Sequence, residues 1–473
     1  MLFNSIEFLL FFPIVTILFF ILPFKLRWFL LLSASCFFYM FFRPIYILIL
    51  FFTIFIDYFV GIYLEKIENE KRRKILLIAS IIANVGVLAI FKYYNFLADN
   101  IKGLATLWEL NLSIPHLNII LPIGLSFHTF QAMSYTIEVY RRKQVSEKRF
   151  GIYALYVMFY PQLVAGPIER PQHILHQFYK KTQFSYENAI AGLNLIAFGL
   201  FKKIVVADRL AIYVNQVYGD LGNASTISAL IAMTFFSFQI YCDFSGYSDI
   251  ARGTARFMGY DLMINFDRPY LSTNISEFWK RWHISLSSWF KDYLYIPLGG
   301  NKVGKIRRYF NLFIVFLVSG LWHGANWTFI IWGSLHGIYT VIGLLTKKVK
   351  EKISTKIGLD KLPLLQKSIS IVVVFVLVSF SFVFFRAENI SQSMLFFNKL
   401  FAFDFSFNLP QICAEKGPLN LTLSFFVLGL FFLTYYLPKD LKIKHNVLFL
   451  ISVIFLIVTL GSNGSSEFIY FQF

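Results

Sequence analysis

Long apolar runs recur along the chain and are separated by short polar or basic segments. Apolar runs of about 18 residues or more are typical of membrane-spanning helices. The pattern predicts spans at 5–22, 28–42, 45–64, 75–91, 117–139, 187–201, 226–242, 368–385, 420–437 and 446–461. The alternating segments of about ten residues that build a membrane β-barrel do not occur. We therefore predict an all-α polytopic membrane protein with about 11 transmembrane helices plus re-entrant or interfacial helices.

Two stretches interrupt this regularity. Residues 151–164 are short for a span, and the following AGPIERPQ (165–172) contains two prolines and a charge pair, so we expect a re-entrant or interfacial segment there. As one helix, residues 311–345 would be about 50 Å long, which exceeds a hydrocarbon core of about 30 Å. We expect two shorter helices that turn back near Gly324 or Gly333.

The composition agrees with a chain that has lipid as its solvent. Of 473 residues, 57% are hydrophobic and 15% are charged, which is more apolar surface than a soluble core can bury. The net charge of +18 arises from short clusters of Lys and Arg between apolar runs. This arrangement follows the positive-inside rule, so we expect contact with anionic lipids and no nucleic-acid partner.

Several features bound the organisation of the chain. The basic segments 65–74, 141–149 and 347–352 are predicted to be cytoplasmic. The longest tract predicted to face outward, 92–116, is too short for a glycan-binding domain. Internal repeats and low-complexity linkers are not evident, so we treat 1–473 as a single domain. The three cysteines are far apart in sequence and have no metal-binding spacing, so no metal site is predicted.

Polar side chains concentrate in residues 239–337, which we take as the candidate site region. Its first segment, QIYCDFSGYSDIARGTARF (239–257), includes Gln239 and Tyr247. Asp249 precedes Arg252 by three residues, so a helix would bring these two charges together. The segment is either a structural ion-pair cluster at the membrane surface or a polar wall for a substrate.

A second segment, FWKRWHISLSSWFKDYLYIPLGGN (278–301), combines aromatic and basic residues. On a single helix, an apolar stripe would be formed by Trp279, Trp282, Leu286 and Trp289. An interfacial amphipathic helix accounts for these tryptophans and for Lys280 and Lys291. It does not account for His283, and a functional histidine on that helix is the other interpretation.

A third segment, FLVSGLWHGANWTFIIWGSLHG (316–337), places two histidines at membrane depth. Ionisable residues inside a membrane are functional candidates. The alternative for His323 is a ring whose nitrogens are satisfied by backbone carbonyls and that performs no chemistry. His336 lies in a plainer apolar helix, and we expect it to be structural.

The last two segments together resemble the membrane-bound O-acyltransferase superfamily, through LWHGANWTFIIWG and FWKRWHISLSSWFKDYLYIPLGGN. AGPIERPQ, YCDFSGYSDIARG and the terminal SEFIYFQF resemble its bacterial branch, which includes the membrane subunits of alginate and peptidoglycan O-acetylation. The resemblance extends over nearly the whole chain. It implies a helical fold with funnels that open to the two membrane faces. It also implies that His323 is the catalytic histidine and His283 the second histidine of this branch.

The resemblance implies an O-acyltransferase in the bacterial cytoplasmic membrane. It would take an acetyl group from a cytoplasmic thioester, acetyl-CoA or an acyl carrier, without a permanently bound cofactor. An extracytoplasmic esterase-like partner would then place the group on a polysaccharide. In this hypothesis His323 is the general base, because an imidazole titrates near operating pH.

The remaining candidates are assigned by the chemistry that acyl transfer requires. Asn326, three residues after His323, could reach the same side of a helix and is a candidate oxyanion donor; backbone N–H groups freed near Gly324 are the alternative. The imidazole would be oriented by Asp243, Asp249 or His283. Lys280, Arg281 and Lys291 would attract an anionic donor. Further candidates for substrate contact are Trp279, Trp282, Trp322, Gln239 and Tyr247.

Three other functions remain open at this point. One is the teichoic-acid D-alanyl transferase subunit, which belongs to the same superfamily. Another is a non-catalytic transporter or flippase, which would carry ionisable residues in many spans rather than in one region. The last is a scaffold for an envelope complex, in which neither His323 nor His283 would matter.

Overall fold

The computed structural model describes residues 1–119, 121–164, 166–406, 419–436, 447–462 and 468–469, and these contain helices and irregular segments but no strand. The first ten α-helices are α1 (Ile6–Ile21), α2 (Phe24–Met40), α3 (Tyr46–Lys66), α4 (Glu70–Leu88), α5 (Tyr94–Leu107), α6 (Leu125–Tyr140), α7 (Phe150–Met158), α8 (Pro171–Ile174), α9 (Tyr186–Leu200) and α10 (Asp208–Gly219). The others are α11 (Thr226–Phe257), α12 (Ile275–Arg281), α13 (Ile284–Phe290), α14 (Lys305–His323), α15 (Trp327–Leu345), α16 (Lys347–Lys356), α17 (Pro363–Arg386), α18 (Ile390–Leu400), α19 (Leu419–Tyr436) and α20 (Val447–Leu460).

The long apolar helices confirm the all-α polytopic prediction. Within the described part of the chain, six segments are long and apolar enough to cross a bilayer: Tyr46–Lys66, Glu70–Leu107, Tyr186–Gly219, Thr226–Phe257, Trp327–Leu345 and Pro363–Arg386. Shorter apolar helices occupy Ile6–Ile21, Leu419–Tyr435 and Val447–Leu460. Three short π-helical segments, Ala89–Tyr93, Phe201–Ala207 and Lys291–Tyr295, lie next to α-helices and extend them.

Two helix boundaries differ from those of the hydropathy pattern. The predicted span 117–139 becomes helical only at Leu125, because Gly124 adopts a left-handed φ of 76° immediately before it. The tract 92–116, predicted to lie outside the membrane, stays helical to Leu107. Apolar residues recur there at helical spacing, as in Leu97, Ile101 and Leu104.

One compact unit comprises Met1–Gly199, Tyr247–Met263 and Asp440–Ile451. In it α2 packs on α1 and α7, and α6 packs on α3 and α4. A buried polar network joins α3 and α4, because the Asp57 carboxylate accepts hydrogen bonds from Ser80 Oγ (2.5 Å) and Asn84 Nδ2 (2.9 Å). The predicted short segment after residue 150 is confirmed, since α7 ends at Met158 and turns follow it.

The other unit comprises Leu200–Gly246, Ile264–Lys439 and Ser452–Phe473. Its centre is the pair α14 and α15, which run antiparallel and pack along their length, and α15 also contacts α12 and α17. Gly320 and Gly333 face each other, so the two backbones approach closely. The predicted fold-back of this apolar segment is confirmed, and it falls at Gly324.

Candidate active site

His323 is the last residue of α14, where the chain reverses direction. Gly324 follows with extended backbone, and the next helix starts at Trp327. Asn326 caps that helix, because its Oδ1 accepts from Thr328 N at 3.0 Å. Side chains of this type satisfy backbone donors that a helix start leaves unpaired. The sequence GAN thus ends one helix, starts another and leaves the imidazole beside the turn.

The His323 imidazole lies in a cage of aromatic rings. The centroids of Trp322, Trp332 and Phe385 lie 4.9, 4.8 and 5.3 Å from the imidazole centroid, each with its plane steeply inclined to the imidazole. The residue is only 4% exposed. Edge-to-face packing of this kind restricts the ring to a narrow range of orientations. A general base requires such a fixed orientation toward its substrate.

Asn326 is not positioned as expected. We expected it to share a helical face with His323, but the helix ends before it. Its Oδ1 serves as the cap, and its Nδ2 donates to the Glu388 carbonyl at 2.7 Å. Both ends of this amide are therefore engaged in holding the turn.

His283 occupies a break in the chain rather than a continuous helix. The expected amphipathic helix is interrupted, because α12 ends at Arg281 and α13 begins at Ile284. His283 has a left-handed φ of 43°, which is uncommon for a residue other than glycine. The predicted tryptophan stripe is consequently divided between two short helices.

Asn265 stabilises the turn that follows His283 through hydrogen bonds. Its Oδ1 accepts from Ser285 Oγ at 2.7 Å and from Ser285 N at 3.2 Å, and its carbonyl accepts from Ile284 N at 2.9 Å. Asn265 is almost fully buried. These three hydrogen bonds stabilise the unusual backbone conformation, as such conformations require.

Trp322 brings the two candidate histidines to one contact surface. Its ring centroid lies 4.9 Å from that of His323 and 6.2 Å from that of His283. On its other side His283 contacts Phe244 at 4.6 Å. Residues separated by 40 positions in sequence thus surround the same indole. Trp322, a candidate for substrate contact, is thus adjacent to both histidines.

His336 has partners on both ring nitrogens. Trp279 Nε1 donates to its Nδ1 at 3.3 Å, and its Nε2 lies 2.9 Å from Ser381 Oγ. The Ser381 hydroxyl donates to the Val378 carbonyl at 2.7 Å. The proton of His336 is therefore on Nε2, which donates to Ser381. This arrangement agrees with the structural role expected for His336, and it places Trp279 in the same buried network.

A model of the membrane-bound O-acyltransferase family, MBOAT, matches residues 125–385, which include both candidate histidines. The chain belongs to this family. It is therefore an O-acyltransferase and a multi-pass membrane protein.

Curated relatives extend the similarity beyond the matched region. A probable alginate O-acetylase of Pseudomonas putida is 34% identical, over 100% of this chain and 100% of its own. A peptidoglycan O-acetyltransferase of Helicobacter pylori is 36% identical, over 77% of this chain and 72% of its own. A teichoic acid D-alanyltransferase of Streptococcus thermophilus is 32% identical, over 56% of this chain and 68% of its own.

The basic candidates of this acyltransferase differ in their surroundings. Lys280 and Lys291 are exposed, whereas Arg281 is partly buried and pairs with Glu277 at 2.8 Å. Trp282 is buried and stacks on Phe278. The two lysines are thus available to an external anion, whereas Arg281 has an internal partner and Trp282 lies in the core.

Asp243 belongs to a buried ion-pair cluster. Lys203 Nζ lies 2.8 Å from Asp243 Oδ1 and 2.8 Å from Asp208 Oδ1, and all three side chains are almost fully buried. Asp243 Oδ2 accepts from the backbone N of Ile469 at 2.8 Å. The carboxylate therefore binds both a lysine and the backbone at Ile469. Most of the SEFIYFQF motif lies outside the described residues.

The other candidates on α11 are distributed along the helix. Gln239 is partly buried in the unit that contains His323. Tyr247 and Asp249 belong to the other unit, where the Tyr247 hydroxyl donates to Asn4 Oδ1 at 3.1 Å. Asp249 lies 3.5 Å from Arg252, which confirms the expected ion pair. The structural interpretation of this segment therefore fits its C-terminal half.

Sequence reasoning missed three residues that shape the site: Lys203, Trp332 and Asn265. Lys203 carried a signal, since a lysine at the end of an apolar run is a candidate for a buried charge pair. Trp332 and Asn265 carried none, because their roles depend on contacts between segments distant in sequence. Among the described residues, no group of three His, Cys, Asp or Glu side chains is arranged to hold a metal ion.

Proposed function

We propose that this enzyme takes an acetyl group from a cytoplasmic thioester and passes it across the bacterial cytoplasmic membrane for O-acetylation of a polysaccharide. The observation that best supports this proposal is the environment of His323. Its imidazole lies in an aromatic cage at a helix reversal and shares contact with Trp322 with His283. Relatives that match most or all of the chain are named for O-acetylation of alginate and of peptidoglycan. Acetyl is accordingly the acyl group favoured here.

In the proposed reaction His323 acts as general base. It removes the proton of the acceptor hydroxyl as that oxygen attacks the thioester carbonyl carbon. The carbon–sulfur bond then breaks, and the same proton passes from the imidazole to the leaving thiolate. His283, which also contacts Trp322, assists this transfer or binds substrate.

The donor is acetyl-CoA or an acylated carrier protein, both of which are anionic. The exposed Lys280 and Lys291 would attract such a donor through long-range electrostatics. On the outer side, an esterase-like partner protein would place the acetyl group on the polysaccharide. The test of this assignment is genetic, because loss of either protein should remove the same ester.

The histidine assignment is tested by His323→Ala in a strain with acetylated envelope polysaccharide. A general base contributes about 10²- to 10⁴-fold to a rate, so ester content should fall at least about a hundredfold at equal protein level. The matched control is His176→Ala, which removes an exposed histidine whose ring binds the Gln172 carbonyl. Normal ester content in the His323 variant would contradict the proposal.

A second candidate function is D-alanylation of teichoic acid, which the S. thermophilus relative favours. Cells supplied with labelled acetate and labelled D-alanine distinguish the two, because only the transferred group enters the envelope ester. A transporter would still move intact substrate when His323 is alanine. If only D-alanine were incorporated, the transferred group in the proposed reaction would be D-alanyl and not acetyl.

A further inference from the structure

The segment between α15 and α17 is strongly basic. It reads KKVKEKISTKIGLDK (347–361), with six lysines against Glu351 and Asp360, and it includes α16. The helices before and after it, Trp327–Leu345 and Pro363–Arg386, are both long and apolar enough to cross a bilayer. The segment therefore lies where two membrane spans end, at the level of a membrane surface.

The same helix carries an aliphatic stripe that the described protein leaves uncovered. Val349, Ile353 and Ile357 are 54%, 53% and 66% exposed. They are spaced four residues apart, so Val349 and Ile353 lie on one face of α16, and Ile357, directly after the helix, follows that face with its N–H bound to the Ile353 carbonyl. Ser354, by contrast, is 8% exposed and accepts from Gln366 Nε2 at 2.9 Å. Another face of α16 is therefore the one that contacts the protein.

The lysines flank this stripe. Lys348, Lys352 and Lys356 are exposed and recur every four residues, so they form a row beside the aliphatic side chains, and Lys350 lies on the opposite border. An apolar face bordered by lysines is the pattern of a helix that lies in a membrane interface. Lysine stems can lie along the apolar layer while their ammonium groups reach phosphate.

We propose that α16 lies in the plane of the bilayer and binds anionic lipid headgroups. Val349, Ile353 and Ile357 enter the acyl-chain boundary, and the flanking lysines contact the phosphates. An acidic carrier protein would also match the lysines. The bilayer is favoured because both ends of the segment join membrane spans, which brings the aliphatic stripe to acyl chains without any further docking step.

The depth of the helix is measurable by spin labelling of the full chain. Single cysteines at Val349, Ile353 and Thr355, in a background without native cysteines, would carry nitroxides in vesicles of phosphatidylglycerol and phosphatidylcholine. Thr355 is exposed on a different face and serves as the control position. Labels at 349 and 353 should be accessible to oxygen and protected from a water-soluble nickel chelate, and the label at 355 should show the reverse. Equal exposure of all three labels to the chelate would overturn the proposal.

The lipid preference is tested by the triple variant K348Q/K352Q/K356Q. Association of spin-labelled phosphatidylglycerol, relative to phosphatidylcholine, should fall by at least about twofold, because each lysine near an anionic surface contributes to attraction. The control K180Q/K181Q removes two exposed lysines elsewhere and should leave the ratio unchanged. An equal loss in both variants, or labels that become protected only when an acidic carrier protein is added, would overturn the proposal.

Discussion

Replacement of Gly320 by alanine is the sharpest test of how the helix pair positions His323. Gly320 lies three residues before His323 on α14, at the point of closest approach to α15. A Cβ there would lie 3.2 Å from Gly333 Cα and well inside 3.0 Å of the Phe329 carbonyl oxygen. Backbone atoms cannot rotate away as a flexible side chain can. The two helices must therefore separate.

The magnitude follows from the size of that separation. Restoring an ordinary contact with the carbonyl oxygen requires a movement of about 1 Å, and overpacking of this kind costs about 1–3 kcal/mol. The protein should remain folded in the membrane. A misplacement of about 1 Å at a catalytic group costs on the order of a hundredfold in rate. Gly320→Ala should therefore lower kcat by about that factor while its Tm falls by only a few degrees.

The assay compares acetyl transfer and thermal unfolding of purified variants. Gly343→Ala is the matched control, because Gly343 lies on the partner helix α15 and a Cβ there meets no atom within 4 Å. The control should retain full activity. If Gly320→Ala were as active as Gly343→Ala, close packing of the two helices would not be what positions His323, and the reasoning would be refuted.

Two further predictions concern buried and partly buried histidines. Trp279→Phe removes the donor to His336 Nδ1 and should destabilise the protein by about 1–3 kcal/mol with KM unchanged; a raised KM at unchanged Tm would instead make Trp279 a substrate contact. His173 Nδ1 lies 2.7 Å from Glu169, and that hydrogen bond raises the pKa of His173, so its stabilising effect is complete below about pH 6.5 and is lost as pH rises through the folded-state pKa. Burial raises the pKa of Glu169, which acts in the same direction. Tm should therefore fall as pH rises above about pH 6.5, and His173→Gln should flatten that fall; parallel curves for the two proteins would contradict this.

Much of the fold was predictable because lipid imposes a simple rule on sequence. A segment that crosses a bilayer must be apolar, helical and of a limited length. The same rule predicted a reversal near Gly324 or Gly333, because the apolar run 311–345 is too long for one span, and the structure places it at Gly324. The helix boundaries at Leu125 and Leu107 differ from the hydropathy boundaries because they depend on local backbone conformation and amphipathic spacing, which hydropathy does not register.

The interior of the site was predictable only in part. Helical periodicity suggested one amphipathic helix through His283, but the break there is stabilised by Asn265, which lies 18 residues earlier. A pattern within one segment carries no information about a hydrogen bond from another. His323 was found through its motif, whereas the cage around it combines residues from α14, α15 and α17, which only the tertiary fold brings together.

The ion pairs of Asp243 limit which groups can orient the imidazole of the proposed base, His323. Asp243 was a candidate to orient the imidazole, yet both of its carboxylate oxygens have other contacts, with Lys203 and with the backbone of Ile469. Turning Asp243 toward the imidazole would break its ion pair with Lys203 and would take the acceptor from the buried Ile469 N–H, at a cost of about 1–3 kcal/mol for the unpaired donor. Asp243 therefore serves the ion-pair cluster, and its neighbour Phe244 packs edge-to-face on His283. The edge-to-face contact of Phe244 with His283 and those of Trp322, Trp332 and Phe385 with His323 thus supply part of the orientation that a carboxylate supplies in polar sites.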